Sequence, residues 1–391
     1  MLIHHTMGRK IRILETIRQG QIGGGESHLL DLVNNLDRTE FEPVVLSFTE
    51  GPMIDRLQKM QVPVTVIGTT RPFDVTKWKA VRTFIEQQRI DLVHAHGTRA
   101  ASNVFWAAGQ LQLPLIYTVH GWSFHDDQPY LVRQIRTAGE QLLIRKAAKT
   151  ISVSASNQQT GQKLMPAFES VVINNGIDTR RFDPSRAFPD IRAELGINPA
   201  AVLLVFVARF THQKQPLALL NAFAQLAAQN PNLHLLMVGD GEQRAEALAL
   251  LAQLPCKNQI TLLPFRQDVP AVLAAADIYV LPSLWEGLSI ALLEAMSMGK
   301  AIIASKTDGT TELIADGQNG LLIELNDLTR QLVTAIQRLG NNPALRSQLG
   351  RAARQTVLTG YDAVSMASDV AQIYRQLTGQ IGKASMAMPT L

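Results

Sequence analysis

The stretch Ile278–Ala304, IYVLPSLWEGLSIALLEAMSMGKAIIA, decides the architecture. Ile278–Leu281 is a short apolar run of the kind that forms a buried strand. The Gly-containing loop Pro282–Gly287 breaks the pattern, and a helix begins near Ser289. Ala301–Ala304 is a second buried strand. Strand, helix, strand makes a βαβ unit with parallel strands.

The same alternation extends in both directions. Ala201–Ala208, His234–Val238, Ile260–Leu263 and Gly320–Ile323 complete one strand series around the quoted stretch. An earlier series comprises Lys10–Glu15, Glu42–Phe48, Val62–Ile67, Leu92–Ala95, Leu115–Val119 and Thr150–Val153. Amphipathic stretches such as Ser27–Leu36 and Thr76–Gln88 lie between them. The economical architecture is α/β, with two consecutive doubly wound units. Their join falls near Asn174–Pro184, where Asn174-Asn175-Gly176 and a Pro-containing charged segment end the periodicity. Domains are expected at 1–178 and 179–360. Residues 361–391 should form a helix over Ala363–Leu377, able to cross back to the first domain, and beyond it a frayed tail ending Ala387-Met388-Pro389-Thr390.

Composition bounds the function. The chain has 391 residues, 46% hydrophobic and 18% charged, which excludes a disordered chain and suits buried sheets. Its longest apolar run, Ala200–Ala208, falls short of the roughly 20 residues that span a bilayer. No signal peptide is visible, so the expected address is the cytoplasm. A single cysteine, Cys256, rules out an internal disulfide framework and a Cys-rich metal site. Net charge is +4, yet residues 1–181 carry 21 Lys and Arg against 16 Asp and Glu, and the remainder is nearly balanced. This basic excess suits an anionic membrane surface or acceptor, or simply a soluble surface. No aromatic-interleaved basic run accompanies it, which argues against nucleic acid.

Ligands of open α/β sheets bind beyond the carboxyl ends of the strands. The first such loop, Gly20-Gln21-Ile22-Gly23-Gly24-Gly25-Glu26, can bring backbone N–H groups against a phosphate, or be only a tight turn. In the quoted stretch, Glu286 lies in the loop and Glu294 about one and a half turns inside the helix. The N–H groups of Leu288, Ser289 and Ile290 open towards an anion. Arg209 and Lys214, five residues apart at a strand end, can neutralise a diphosphate. Gly239-Asp240-Gly241-Glu242 is another glycine turn, and Phe265–Pro270 is a short loop suited to packing a flat ring. Singly, each of these also suits an ordinary surface turn or ion pair.

In order, these pieces resemble the donor-binding half of the family-four retaining glycosyltransferases. The matching residues are Arg209 with Lys214, Gly239–Gly241, Phe265–Pro270, and Glu286 seven residues before Glu294. Asp308–Glu312 and Asp316–Gly320 match further pieces. In the first half, Gly23–Glu26, His94-Ala95-His96 and Val119-His120-Gly121 are similar to the family's acceptor-side loops, and Asn175–Asp178 to its linker. The resemblance covers nearly the whole chain. It implies the GT-B fold, two Rossmann-like domains with a cleft between them, the first binding acceptor and the second the nucleotide sugar. Arg209, Lys214, Gly24 and the Leu288–Ile290 turn would hold the donor diphosphate. Glu294 would bind the ribose, and Gly241 and the backbone around Arg266 the base side. Glu286 would hold sugar hydroxyls, and His120 would face the reacting centre as the second catalytic residue. Asp308-Gly309-Thr310 departs from the glycine pair often found there, which leaves that loop's contact with the sugar open.

His94 and His96 are spaced as metal ligands can be. With no cysteine nearby, they are read instead as lining the acceptor side or capping the strand. His4 and His5 carry no readable role. Over Tyr130–Lys149, apolar Leu131, Ile135, Ala138 and Leu142 recur at helical spacing among five cations. That pattern fits a helix on an anionic membrane and equally a core-packed helix with a basic outer face.

The resemblance implies a hexosyltransferase. It would move sugar from a UDP- or GDP-sugar to a glycolipid, lipopolysaccharide or polysaccharide acceptor, with no metal or other cofactor. The enzyme would be cytoplasmic, and peripheral on the inner face of the plasma membrane if the basic half binds lipid. Alternatives on the same architecture are a sugar-nucleotide epimerase, a phosphorylase, or a non-catalytic nucleotide-sugar-binding protein.

Overall fold

The computed structural model describes residues 9–20, 23–124 and 128–386, with side chains through residue 379. His4, His5, Gln21, Ile22 and the tail from Ala387 lie outside the described residues. The chain divides into two compact units, Met1–Asn174 with Ala363–Leu391, and Asn175–Asp362.

Among the described residues the first unit has seven strands: β1 (Ile11–Ile17), β2 (Phe41–Ser47), β3 (Val64–Val66), β4 (Leu92–His96), β5 (Leu115–Val119), β6 (Lys149–Ser152) and β7 (Val171–Val172). Their order is β3-β2-β1-β4-β5-β6-β7, and every pairing is parallel. The second unit carries β8 (Val202–Val207), β9 (Leu233–Val238), β10 (Ile260–Leu263), β11 (Ile278–Leu281), β12 (Ala301–Ser305) and β13 (Leu321–Ile323). Their order, also wholly parallel, is β10-β9-β8-β11-β12-β13. Helices connect the strands, because a parallel crossover needs one. All twelve strands expected from the sequence form. Only β7 was missed, since two residues carry no readable periodicity.

Winding reverses between β1 and β4 in one sheet and between β8 and β11 in the other. Connections leave in opposite directions at those points, which opens a crevice beyond the strand ends. The loops so exposed are those after β1 and β4, and those after β8 and β11.

The unit boundaries fall at Asn174–Asn175 and Asp362–Ala363 rather than at 178 and 360. The linker is tied into the second unit: Asn175 Nδ2 donates to Leu288 O at 2.7 Å and Ile177 N to Tyr361 O at 3.0 Å. The last helix, Ala363–Met386, extends beyond the expected Leu377. It returns to the first unit, where Met366, Val370, Ile373 and Tyr374 pack with Ile13, Leu32, Phe41, Leu92 and Ile116. Arg375 pairs with Glu40 at 2.7 Å on the rim of that contact. One face of the first sheet is thus closed by the end of the chain.

Tyr374 is fully buried, and its hydroxyl donates to Glu15 Oε1 at 2.6 Å. Tyr374→Phe should cost the first unit about 1–3 kcal/mol, because it strands a buried carboxylate oxygen. The measurement is the urea midpoint of that unit's transition; an unchanged midpoint would show that the hydroxyl contributes nothing.

Candidate functional site

In the second unit, the two loops at the winding reversal are laced together. Leu284 N donates to Gln213 O at 2.8 Å, and Gln213 Nε2 to Trp285 O at 2.7 Å. Within this frame Lys214 Nζ and Glu286 Oε1 form an ion pair at 2.5 Å, with side chains only 15% and 6% exposed. Lysine has three N–H donors, so two remain for a ligand, and the second oxygen of Glu286 can accept from hydroxyls. Arg209 is exposed at the end of β8.

Helix Ile290–Ser297 starts beside this pair with Ser289 at its N-cap. Its amide groups at Leu288, Ser289 and Ile290 lie at the positive end of the helix dipole. Glu294 is half-buried on the same helix. Burial first, then the charges of Glu294 and Glu286, hold the Tyr279 hydroxyl well above its ordinary pKa. Both glutamates therefore act on one ring beneath the crevice. Lys214 and Glu286 are thus paired, the two glutamates meet at Tyr279, and the Leu288–Ile290 turn lies between them in the chain.

Two further positions have strong structural ties. Gly241 has φ +154, and a Cβ there would lie 2.4 Å from Phe210 O; at Gly239, with φ +148, it would lie 2.0 Å from Ala208 O. These glycines let the turn after β9 press onto the loop carrying Arg209. The Arg266 guanidinium is held by Glu194 and Asp268, each at 2.6 Å. Its charge is thereby committed within the protein, and the backbone of its loop is what it leaves for a ligand. Gly309 answers the departure noted at Asp308-Gly309-Thr310: a Cβ there would stand 1.6 Å from Gly287 O. That glycine permits backbone contact with the Glu286 loop.

The first unit has a polar centre inside its sheet. Register places Glu15 beside His94 on adjacent strands, and the two-residue side-chain period puts His96 and Thr118 on the same face. His94 Nδ1 lies 2.6 Å from Tyr374 OH, and Nε2 lies 2.7 Å from Thr118 Oγ1. His96 Nε2 meets Glu15 Oε2 at 2.9 Å, and its Nδ1 meets His120 Nε2 at 3.0 Å. His94 and His96 are only 0% and 2% exposed, so they do not line an acceptor surface as expected. His94 is a structural link between strands and the last helix, and His96 stands behind His120, which is partly exposed. Gly24 opens helix Gly24–Asn35, and a Cβ on neighbouring Gly25 would lie 3.7 Å from the His120 ring.

Burial by itself would raise the Glu15 pKa. Charge interaction and hydrogen bonding with His94, then with His96, outweigh it and hold the carboxyl well below the usual range. Burial lowers His96 to about 4, and burial with His28 and His96 beside it pushes His120 well below its ordinary value. The protons then have one consistent arrangement. Ionised Glu15 accepts from His96 Nε2–H, His96 Nδ1 is an acceptor, and His120 Nε2–H donates to it. His120 is left with a lone pair on Nδ1.

Sequence reading missed Glu15, and the signal was there: a carboxylate among the aliphatic residues of the strand IRILETI. It also missed Glu140. This fully buried group accepts from Thr98 Oγ1 (2.8 Å), Tyr117 OH (2.8 Å) and Ser123 Oγ (2.5 Å). Helix Tyr130–Lys146 is thereby fastened to the segments that follow His96 and His120. The rest of that helix reverses one expectation. Leu131 and Ile135 face solvent, 70% and 65% exposed, beside Tyr130 at 77%, while Thr137, Glu140 and Leu143 face the core.

Comparison with known proteins gives a consistent picture. Residues 22–181 match the family model described as Glycosyltransferase Family 4, and residues 187–356 the model described as Glycosyl transferases group 1. The chain is 25% identical to the UDP-Gal:alpha-D-GlcNAc-diphosphoundecaprenol alpha-1,3-galactosyltransferase of Escherichia coli, over 93% of this chain and 97% of that one. It is 26% identical to the N-acetyl-alpha-D-glucosaminyl L-malate synthase of Bacillus anthracis, over 78% and 79%. Among solved structures, Anabaena HepE in complex with UDP and glucose superposes with a TM-score of 0.81 at 23% identity, covering 93% of this chain and 99% of that one. At that identity the likeness establishes the fold.

The buried polar centre sets a pH dependence. His96 binds protons less readily in the folded chain, at about 4 against 6.5. The unfolded chain therefore takes up more protons between those values, and stability falls as pH drops through that window. Glu15, depressed when folded, adds stability that is present above its unfolded value and lost below it, with the same sign. The urea midpoint of the first unit should fall as pH is lowered from about 7 to about 5. A midpoint that rises over this range would contradict the proton arrangement.

Proposed function

This chain belongs to the family-four glycosyltransferases, and from that premise we propose that it transfers a sugar from a UDP- or GDP-sugar to a lipid-linked or polysaccharide acceptor, with retention and without a metal. The observation that carries this reading is the Lys214–Glu286 pair at the start of helix Ile290–Ser297, with Glu294 farther along it. Cations, aligned amides and two carboxylates in one crevice suit a ligand that joins a diphosphate to hydroxyl-rich sugars. The Escherichia coli relative is named for a UDP-sugar donor and a diphosphoundecaprenol-linked acceptor, and HepE holds UDP and glucose, which supports the same classes here.

Glycosyl transfer passes through an oxocarbenium-like state while negative charge grows on the leaving diphosphate. Lys214, held by Glu286, and the Leu288–Ile290 amides are fixed before reaction, so with Arg209 they stabilise that charge more than the ground state. Glu286 accepts from sugar hydroxyls while Lys214 holds it in place, and Glu294 accepts from the ribose. His120, through the lone pair on Nδ1, accepts from a hydroxyl at the reacting centre. The leaving phosphate itself takes the acceptor's proton. A non-catalytic binding protein has no need of this set, and transfer from a labelled nucleotide sugar in excess chelator separates the two readings.

A lipid-linked acceptor supports the reading of a peripheral enzyme at the cytoplasmic face of a membrane. No helix among the described residues is long and apolar enough to cross one. Helix Tyr130–Lys146 supplies the docking surface: exposed Tyr130, Leu131 and Ile135 stand among Arg133, Arg136, Arg145 and Lys146, and its one acid, Glu140, is turned into the core. Anionic lipid complements that charge.

Glu286→Gln should lower turnover by about one to two decades, whereas Glu294→Gln should mainly raise the donor KM, each losing a charged hydrogen bond worth about 1.5–3 kcal/mol. Wild-type turnover by Glu286→Gln at saturating donor would remove the assigned role. Binding to phosphatidylglycerol vesicles should weaken about tenfold or more when Leu131 and Ile135 are both replaced by serine, and should weaken with salt in the parent. Binding that ignores both changes would place the docking surface elsewhere.

A further inference from the structure

Three imidazoles meet in the first unit from three separate elements: His28 on helix Gly24–Asn35, His96 at the end of β4 and His120 just after β5. One ring nitrogen from each lies within 4.8 Å of the other two. His96 Nδ1 and His120 Nε2 are 3.0 Å apart, and the His28 ring centroid stands 4.7 Å from that of His120 and 5.4 Å from that of His96. Nothing derived above for sugar transfer requires His28.

We infer that His28, His96 and His120 form a three-imidazole Zn2+ site whose occupation switches transfer off. Four-coordinate zinc binds imidazole at about 2.0–2.1 Å, which separates its ligand nitrogens by about 3.4 Å. The His96–His120 spacing opens slightly to reach that value, and a modest approach of His28 completes the triangle. Water supplies the fourth ligand, entering past partly exposed His120. The second sphere is already in place. Glu15 Oε2 takes the Nε2–H of His96 at 2.9 Å, the carboxylate–histidine arrangement that fixes a ligand's tautomer and raises its basicity. With Nε2 so engaged, His96 must bind through Nδ1, the nitrogen that faces the cluster.

The proton balance is simple. In the metal-free protein one proton sits on His120 Nε2 and is donated to His96 Nδ1. The His120 proton moves from Nε2 to Nδ1, zinc takes the lone pairs of His120 Nε2 and His96 Nδ1, and no proton leaves the pair. An all-imidazole set selects zinc and its late-transition neighbours over Mg2+ and Ca2+, which prefer oxygen. The neighbouring group Glu15, His94 and His96 is not a second site. Tyr374 and Thr118 already occupy both His94 nitrogens, and Glu15 already accepts from Tyr374 and His96.

Inhibition follows because zinc at Nε2 leaves a proton on the Nδ1 through which His120 is proposed to meet a hydroxyl. That consequence rests on the proposed function, whereas binding does not, so the two are measured separately. The full-length protein, stripped of metal, is titrated at pH 7 with Zn2+ against a chromophoric chelator and with Co2+ alone. One equivalent should bind in the micromolar range or tighter, and Co2+ should give the intense visible absorption of a four-coordinate site. His28→Gln should lose at least tenfold in affinity, while Mg2+ should neither bind nor compete. Ring-nitrogen NMR of the parent provides a second reading that needs no variant: zinc should shift all three histidines. No binding in this range, a weak six-coordinate Co2+ spectrum, or unchanged affinity in His28→Gln would overturn the site. In a transfer assay Zn2+ should slow the parent at least tenfold, reversibly with chelator, and His28→Gln should need at least tenfold more zinc. Zinc bound at these residues with undiminished transfer would overturn the switch.

Discussion

A single carboxylate buried in the first sheet organises that unit. Glu15 sits at 0% exposure in the middle of β1, where an ionised group is costly unless it is paired and hydrogen-bonded. Its partners come from β4 and from the last helix, elements 79 and 359 residues away for His94 and Tyr374. The C-terminal helix is thus part of the N-terminal unit for two reasons: its apolar stripe covers a sheet face, and its tyrosine satisfies a charge there. The same carboxylate fixes the protonation of His96 and, through it, that of His120. Stability and the presentation of the candidate reactive histidine depend on one contact.

The second unit solves a similar problem differently. Its charged groups lie at the rim of the sheet, and Lys214 and Glu286 neutralise each other at the crevice floor. Glycines in the strand-end loops of this unit chiefly serve close packing. Gly239 and Gly241 press one strand-end loop onto another, and Gly309 lets a third lie on Gly287. The loops that would hold a ligand are rigid because backbone meets backbone.

Much of this was legible from sequence. Parallel strands carry their own signal, and twelve of them were found from short apolar runs alone, because burial on both faces demands such runs. Lys214 and Glu286, which the structure pairs, were legible as candidates too, since they lie in the loops after β8 and β11, where the winding reverses. What escaped was contact across long sequence separations. Glu15 was visible only as the end of a strand, Glu140 as one acid among cations, and His28 as one position in a helix. The stripe Leu131, Ile135, Ala138 and Leu142 had the spacing of a core face, yet Leu131 and Ile135 point outward while Glu140 goes in.

The sequence by itself determined the two doubly wound units, the strand-end loops and the chemistry that those loops can offer, because period and residue type are local properties. The tertiary structure alone decided which polar groups are buried together. It made His94 a structural link, left His120 partly exposed with a defined tautomer, and turned Leu131 and Ile135 to solvent. Those outcomes depend on which distant carboxylates find hydroxyl and imidazole partners inside the sheet. The cost of burying a charge is settled only when the whole unit has closed around it.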